Sequence, residues 1–219
     1  MKKDLEEGGQ VMVFLNRRSS TIFIAEKLSD LTAKYLDAEE KFRLENIIKE
    51  MRKNPYSSKM MQWVMRKGIG FHNASLDPKD KLMVERAFEQ RLIKCIVCTS
   101  TLAAGVNTPA RRVIVRNFEQ YVPNMFLQME DLHYEPEYEV RPGKSSVFVP
   151  VPNNKLFQIL GRAGGPGKDH LGIGTILVSN QDELDWVVDH YFHLNRKSGE
   201  LSPKYGELQS RLNNSDVLR

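Results

Sequence analysis

Lys94-Cys-Ile-Val-Cys-Thr-Ser-Thr-Leu-Ala-Ala-Gly-Val-Asn-Thr-Pro-Ala110 is the stretch on which the fold turns. It opens with Cys95–Cys98, an unbroken apolar run that reads as a strand buried on both faces. The two cysteines form a C-x-x-C, a spacing that suggests a redox pair or half of a zinc site. On a strand, however, side chains three positions apart point to opposite faces. With no second cysteine pair in the chain, both thiols are expected to pack in the core as small hydrophobes.

Four further short apolar runs read as strands: Val11–Leu15, Ile69–His72, Val113–Val115 and Thr175–Val178. Between them lie stretches with helical character. Ser19–Ala38 repeats apolar residues at nearly 3.6-residue intervals. Ala38–Arg66 is long and charged, with a break expected at Asn54-Pro55. Asp77-Pro78 opens a helix running to about Gln90, with proline in its first turn. Asn153–Ala163 and Gln181–Phe192 complete the set. Strands alternating with helices predict an α/β domain built on a parallel sheet.

Two segments depart from that rhythm. Residues 118–152 hold five of the ten prolines and the acidic run Glu130–Glu139, and read as a long surface excursion. The tail from Asn195 to Arg219 is polar, with a break at Ser202-Pro203. The chain has 219 residues, 41% hydrophobic and 27% charged, enough for one sizeable core and unlike a disordered composition. Its 32 basic against 28 acidic residues leave a formal charge of +4, compatible with nucleic acid but equally with an ordinary solvated surface. No apolar run approaches a membrane span, and Met1-Lys-Lys3 leads into acids and glycines rather than a signal core, so an intracellular protein is expected, in the cytoplasm or, in a eukaryote, the nucleus.

Three segments, in order and spacing, resemble the second RecA-like motor domain of superfamily-two DExH helicases of the superkiller type, a group that includes archaeal repair helicases and RNA-exosome helicases. Val11-Met-Val-Phe-Leu-Asn-Arg-Arg-Ser-Ser20 resembles motif IV. Thr101-Leu-Ala-Ala-Gly-Val-Asn-Thr-Pro-Ala110 resembles motif V closely, and Gly68-Ile-Gly-Phe-His-Asn-Ala-Ser-Leu76 precedes it where the family places such a segment. Gln158-Ile-Leu-Gly-Arg-Ala-Gly-Gly-Pro-Gly167 resembles motif VI, usually Q-x-x-G-R-x-G-R. Gln158, Gly161, Arg162 and Gly164 match; Gly165 stands where a second arginine is usual. The resemblance covers roughly residues 11–192, with 118–152 longer than the family pattern. It implies a RecA-like domain over residues 1–193 and, over 194–219, a linker toward a winged-helix domain.

By that resemblance the domain handles two ligands. Arg162 is the candidate arginine finger for the γ-phosphate of ATP, helped by Gln158, while Gly105, Asn107 and Gly161 lie on the ATP side. Thr101 offers a hydroxyl and a helix N-terminus to a nucleic-acid phosphate. Arg17, Arg18, His72, Asn73 and Thr99 stand at strand ends on the expected path of single-stranded or partly unwound DNA or RNA. ATP and Mg²⁺ are implied for the complete enzyme, held mainly by the first RecA-like domain, which is the implied partner. The phosphate cradle G-x-x-x-x-G-K-[ST] is not found: Gly167-Lys168 is followed by Asp169, Arg162 stands where its first glycine belongs, and a helix rather than a strand precedes it. No D-E-x-H run occurs, and no metal site is expected. The chain by itself is therefore expected not to hydrolyse ATP, and Gly165 raises the expectation of a slow parent enzyme. A stand-alone, non-catalytic strand-binding or regulatory module is the alternative. A dinucleotide site at Gly161–Gly174 is disfavoured, because Gly172-x-Gly174 precedes its strand instead of following one.

Overall fold

The computed structural model describes residues 1–99, 110–116, 118–123, 146–164, 171–195 and 197–205. Five strands form one sheet in the order β2-β3-β1-β4-β7, and every neighbouring pair is parallel. They are β1 (Val11–Phe14), β2 (Ile69–His72), β3 (Cys95–Cys98), β4 (Arg112–Val115) and β7 (Ile173–Ile176). Every residue of β1, β2 and β3 is buried, as their continuous apolar runs require, while β4 buries Val113 and Val115 in alternation. The expected β7, Thr175–Val178, lies two residues too late. Its register is set by the pairing of Arg112 with Ile173, which draws Gly174 into the strand despite its weak strand signal.

Helices α1 (Lys2–Glu6), α2 (Arg18–Thr32), α3 (Ala38–Met51), α4 (Lys59–Met65), α5 (Pro78–Glu89), α6 (Asn153–Leu160) and α7 (Gln181–Tyr191) connect and cover the strands. Helix α2 stops before Ala38, because Thr32 turns its hydroxyl to the carbonyls of Ser29 and Lys67 and a 3₁₀ turn, Ala33–Tyr35, follows. Asp37 then starts α3 with a complete capping box to Glu40. The break expected at Asn54-Pro55 is wider than one proline demands. The loop is held open by Asp80, whose carboxylate accepts from Ser57 Oγ at 3.1 Å and Ser58 N at 2.9 Å, and Ser58 in turn caps α4. Asp77 caps α5 with Pro78 in its first turn, as expected. Helix α6 ends at Leu160 rather than Ala163, with Gly161 as its C-cap.

Cys95 and Cys98 are free and fully buried. Burial pushes the Cys95 thiol up to about 12 and the Cys98 thiol well above its ordinary value, so neither is a nucleophile at neutral pH. Gln10 enters the core beside β1 and donates its amide to the carbonyls of Phe88 at 2.8 Å and Ile93 at 2.6 Å, tying the first strand to the turn between α5 and β3.

The ends of the 118–152 excursion pair with each other as an antiparallel ribbon, β5 (Glu119–Pro123) with β6 (Ser146–Pro150). A second ribbon, β8 (Phe192–Leu194) with β9 (Leu201–Pro203), carries the polar tail back onto α6. There Tyr205 packs 5.3 Å from Phe157, and Asn153 donates to the Lys204 carbonyl at 2.7 Å.

Asp4 anchors α1. Its carboxylate is almost wholly buried and accepts from Arg112 Nε at 2.7 Å, with the Met1 ammonium at 2.8 Å. Burial pushes its pKa up, but Arg112 and the ammonium outweigh this and hold it at about 2. A carboxyl whose folded pKa lies below its unfolded value stabilises the fold above the unfolded pKa and loses that stabilisation as pH falls through the folded one. Asp4→Asn is therefore expected to cost about 2–3 kcal/mol at neutral pH, shrinking toward zero as acid titration approaches pH 2. Urea melts of both proteins from neutral to acid pH check this; a cost that does not vary with pH would remove the ion pair from the account.

Candidate functional site

Because all five strands are parallel, their carboxyl ends share one edge. The register places His72, Cys98, Phe14, Val115 and Ile176 in a single row across it. The next residues, Asn73, Thr99, Leu15-Asn16-Arg17 and Arg116, therefore line the edge where α/β sheets place ligands. Arg17 and Arg18 are exposed at the start of α2. Thr99 is mostly buried and its backbone N–H donates to the His72 carbonyl at 3.0 Å.

His72 and Asn73 reach this edge, but their side chains are spent inside the fold. His72 Nε2 lies 2.8 Å from Glu85 Oε1, and its buried Nδ1 has no hydrogen-bond partner among the described residues. Burial lowers the imidazole pKa, with Glu85 opposing, so the ring is neutral at neutral pH. Asn73 is fully buried. Its amide donates to Thr21 Oγ1 at 2.9 Å, and its carbonyl oxygen accepts from Ser75 N at 3.1 Å and Ser75 Oγ at 2.7 Å. Thr21 passes the link on to the Arg18 carbonyl at 2.6 Å. Asn73 thus fastens the β2 turn to the first turn of α2, the turn that carries Arg17 and Arg18. Thr21 escaped sequence reasoning, since a threonine inside a helix has no signal until its partner across the fold is known. Arg116 had a signal, as it follows β4 just as the arginines follow β1.

The turn bearing Arg162 lies elsewhere. Ala110 and Ala163 form a parallel bridge: Ala110 N donates to the Arg162 carbonyl at 3.0 Å, and Gly164 N donates to the Ala110 carbonyl at 2.7 Å. Ala110 stands just before β4 and Gly172 just before β7, so this turn sits by the amino ends of those strands, at the opposite end from Arg17 and Asn73. Gln158 is exposed on α6, Gly161 is exposed at its C-cap, and Arg162 is half-buried beyond the helix end. Two glycines are needed here. Gly164 has φ +77°, and a Cβ on it would come within 3.0 Å of the Gly172 backbone. A Cβ on Gly172 would collide with the Ala163 carbonyl. The glycine of the motif VI pattern at 164 therefore has a steric reason. Thr101, Gly105, Asn107 and Gly165 lie outside the described residues. Among the described residues no cluster of three or more His, Cys, Asp or Glu is placed to hold a metal ion, and no helix is long and apolar enough to cross a membrane.

An all-parallel five-stranded sheet flanked by helices, with polar strand ends along its carboxyl edge, defines a RecA-like α/β domain. No family model matches the chain. It is 33% identical over 191 residues to the ATP-dependent DNA helicase Hel308 of Caldivirga maquilingensis, covering 85% of this chain and 22% of that protein. To Hel308 of Pyrococcus abyssi it is 32% identical over 215 residues, covering 98% of this chain and 26% of that protein. To activating signal cointegrator 1 complex subunit 3 of Dictyostelium discoideum it is 34% identical over 225 residues, covering 100% of this chain and 9% of that protein. The chain belongs to the superkiller-type superfamily-two helicases, and it spans about a quarter or less of the length of these relatives.

Proposed function

We propose that this chain is the second motor domain of an ATP-dependent nucleic-acid helicase, presenting strand-backbone contacts on one edge and an arginine finger on a separate turn. The observation that carries this reading is the separation of the two candidate groups. Arg17, Arg18 and Thr99 gather at the carboxyl ends of β1 and β3. Arg162 stands by the amino ends of β4 and β7 on a turn stitched to Ala110. A motor domain must hold a strand and answer to ATP at once, and two separately braced loops on one rigid sheet suit that task.

In this reading Arg17 and Arg18 meet phosphate oxygens through their guanidinium forks, with no base readout. Asn73 acts on them through Thr21, as a positioning residue. Arg162 brings its guanidinium to phosphates held by the first motor domain. The sequence contains no G-x-x-x-x-G-K-[ST] run, which supports assigning ATP and Mg²⁺ mainly to that partner domain and a lack of ATPase activity to the chain alone.

The test is a fluorescence anisotropy titration of the chain against single-stranded DNA and RNA over a range of salt concentrations, beside the double variant Arg17→Ala, Thr101→Ala. Binding should weaken as salt rises, and each lost phosphate contact should lower the salt slope by about 1. Strand binding that is absent at low salt, or unaltered in the variant, would remove the carboxyl edge as the strand site.

A further inference from the structure

We propose that the cleft between the start of α2 and the carboxyl ends of β1 and β4 receives one unstacked nucleobase of a single strand, with the Phe23 ring as its stacking platform. The inference rests on the strand reading above and specifies what that edge recognises. The cleft encloses about 420 Å³, at the small end of ligand pockets and on the scale of a single nucleotide. Its lining divides by chemistry. Leu15 and Ile24 supply apolar wall, Arg17 and Arg116 supply cations, and Glu119 supplies a carboxylate.

Phe23 is the unusual member. It lies in the first half of α2, a helix that turns other side chains into the core, yet the residue is 55% exposed. The Lys27 ammonium sits 5.4 Å from the ring centroid, a cation–π contact that helps hold the ring in place. An exposed aromatic beside arginines is how sequence-tolerant single-strand sites are built: the ring takes a base face and the cations take the flanking phosphates. A site for phosphate alone would need the arginines but neither the ring nor the apolar wall. Glu119 accepts hydrogen bonds only, so it fits a base with an exocyclic amine, such as cytosine. A base paired within a duplex is stacked on both faces and has no face free for Phe23, so the cleft selects single strands.

The test uses the full 219-residue chain. Its affinity for an oligodeoxycytidylate is compared with that for the same strand made abasic, for wild type, Phe23→Ala, Phe23→Trp and Arg17→Ala. Wild type should prefer the base-bearing strand by about tenfold. Phe23→Ala should erase that preference while leaving abasic affinity, salt slope and melting temperature unchanged, and Phe23→Trp should restore it. If wild type holds both strands equally and Arg17→Ala weakens both, the backbone reading stands and the base cleft is overturned. A preference that survives in Phe23→Ala also overturns it, since the base is then held elsewhere. If neither strand binds at low salt, the cleft falls together with the strand reading on which it rests.

Discussion

In an intact helicase carrying this domain, Arg162→Ala is expected to lower ATP turnover by about 10³–10⁵, if the proposed finger is this residue, while strand affinity stays near wild type. The size follows from what an arginine finger supplies. Its fixed fork of donors meets charge that develops on the transferred phosphoryl group, inside a closed cleft that excludes water. Lost rate of that order corresponds to about 4–7 kcal/mol of transition-state stabilisation. The fold should not share the loss. The turn is held by backbone bonds, Arg162 N to the Ile159 carbonyl at 3.1 Å and Ala110 N to the Arg162 carbonyl at 3.0 Å, and alanine keeps both. Strand affinity should survive because Arg17 and Arg18 stand at the other end of the sheet. Arg162→Lys should recover little, since a point charge cannot reproduce the fork. Steady-state ATPase assays with and without single-stranded DNA, beside a strand titration, are the measurement. Turnover of Arg162→Ala within about tenfold of wild type would take the finger away from this residue. A Gly165→Arg variant in the same assay asks whether a second arginine raises the rate; unchanged turnover would leave Arg162 acting alone.

The largest stability effect is expected from Phe88→Ala, at about 3–5 kcal/mol. Phe88 is 1% exposed, one of the largest side chains wholly inside the core, near the end of α5. Removing its ring leaves a cavity bounded by a close-packed sheet that relaxes only in part. Its carbonyl also receives the buried Gln10 amide at 2.8 Å, so a shift of the α5 end loosens the tie to β1 as well. The urea midpoint should fall with little change in slope, and strand affinity measured below the transition should fall little. A loss below about 1 kcal/mol would mean that the α5–β3 turn collapses to fill the space.

How much of this was legible in advance follows from the range of the interactions. β2 and β3 were readable to the residue and β1 to within one, because strands buried on both faces write unbroken apolar runs. The start at Asp77 was readable because its cap is local, bonding two residues on, whereas the caps Asp37 and Ser58 fell inside stretches read as helical. β7 was displaced because its limits are set by pairing to β4. The ends of α2 and α6 were overrun because a carbonyl of Lys67 and a glycine C-cap, rather than apolar periodicity, stop them.

The sequence by itself determined an α/β domain on a parallel sheet, the family that its motif-like segments resemble, and the residue types at each strand end. Only the tertiary structure decided what those residues touch. It set Arg162 at the end of the sheet away from Arg17. It turned Asn73 inward onto Thr21, 52 positions earlier in the chain, and opened the cleft beside Phe23. The physical reason is that apolar patterning and capping act over a few residues along the chain. Hydrogen-bond partners and cavities depend instead on which distant segments the sheet register brings side by side.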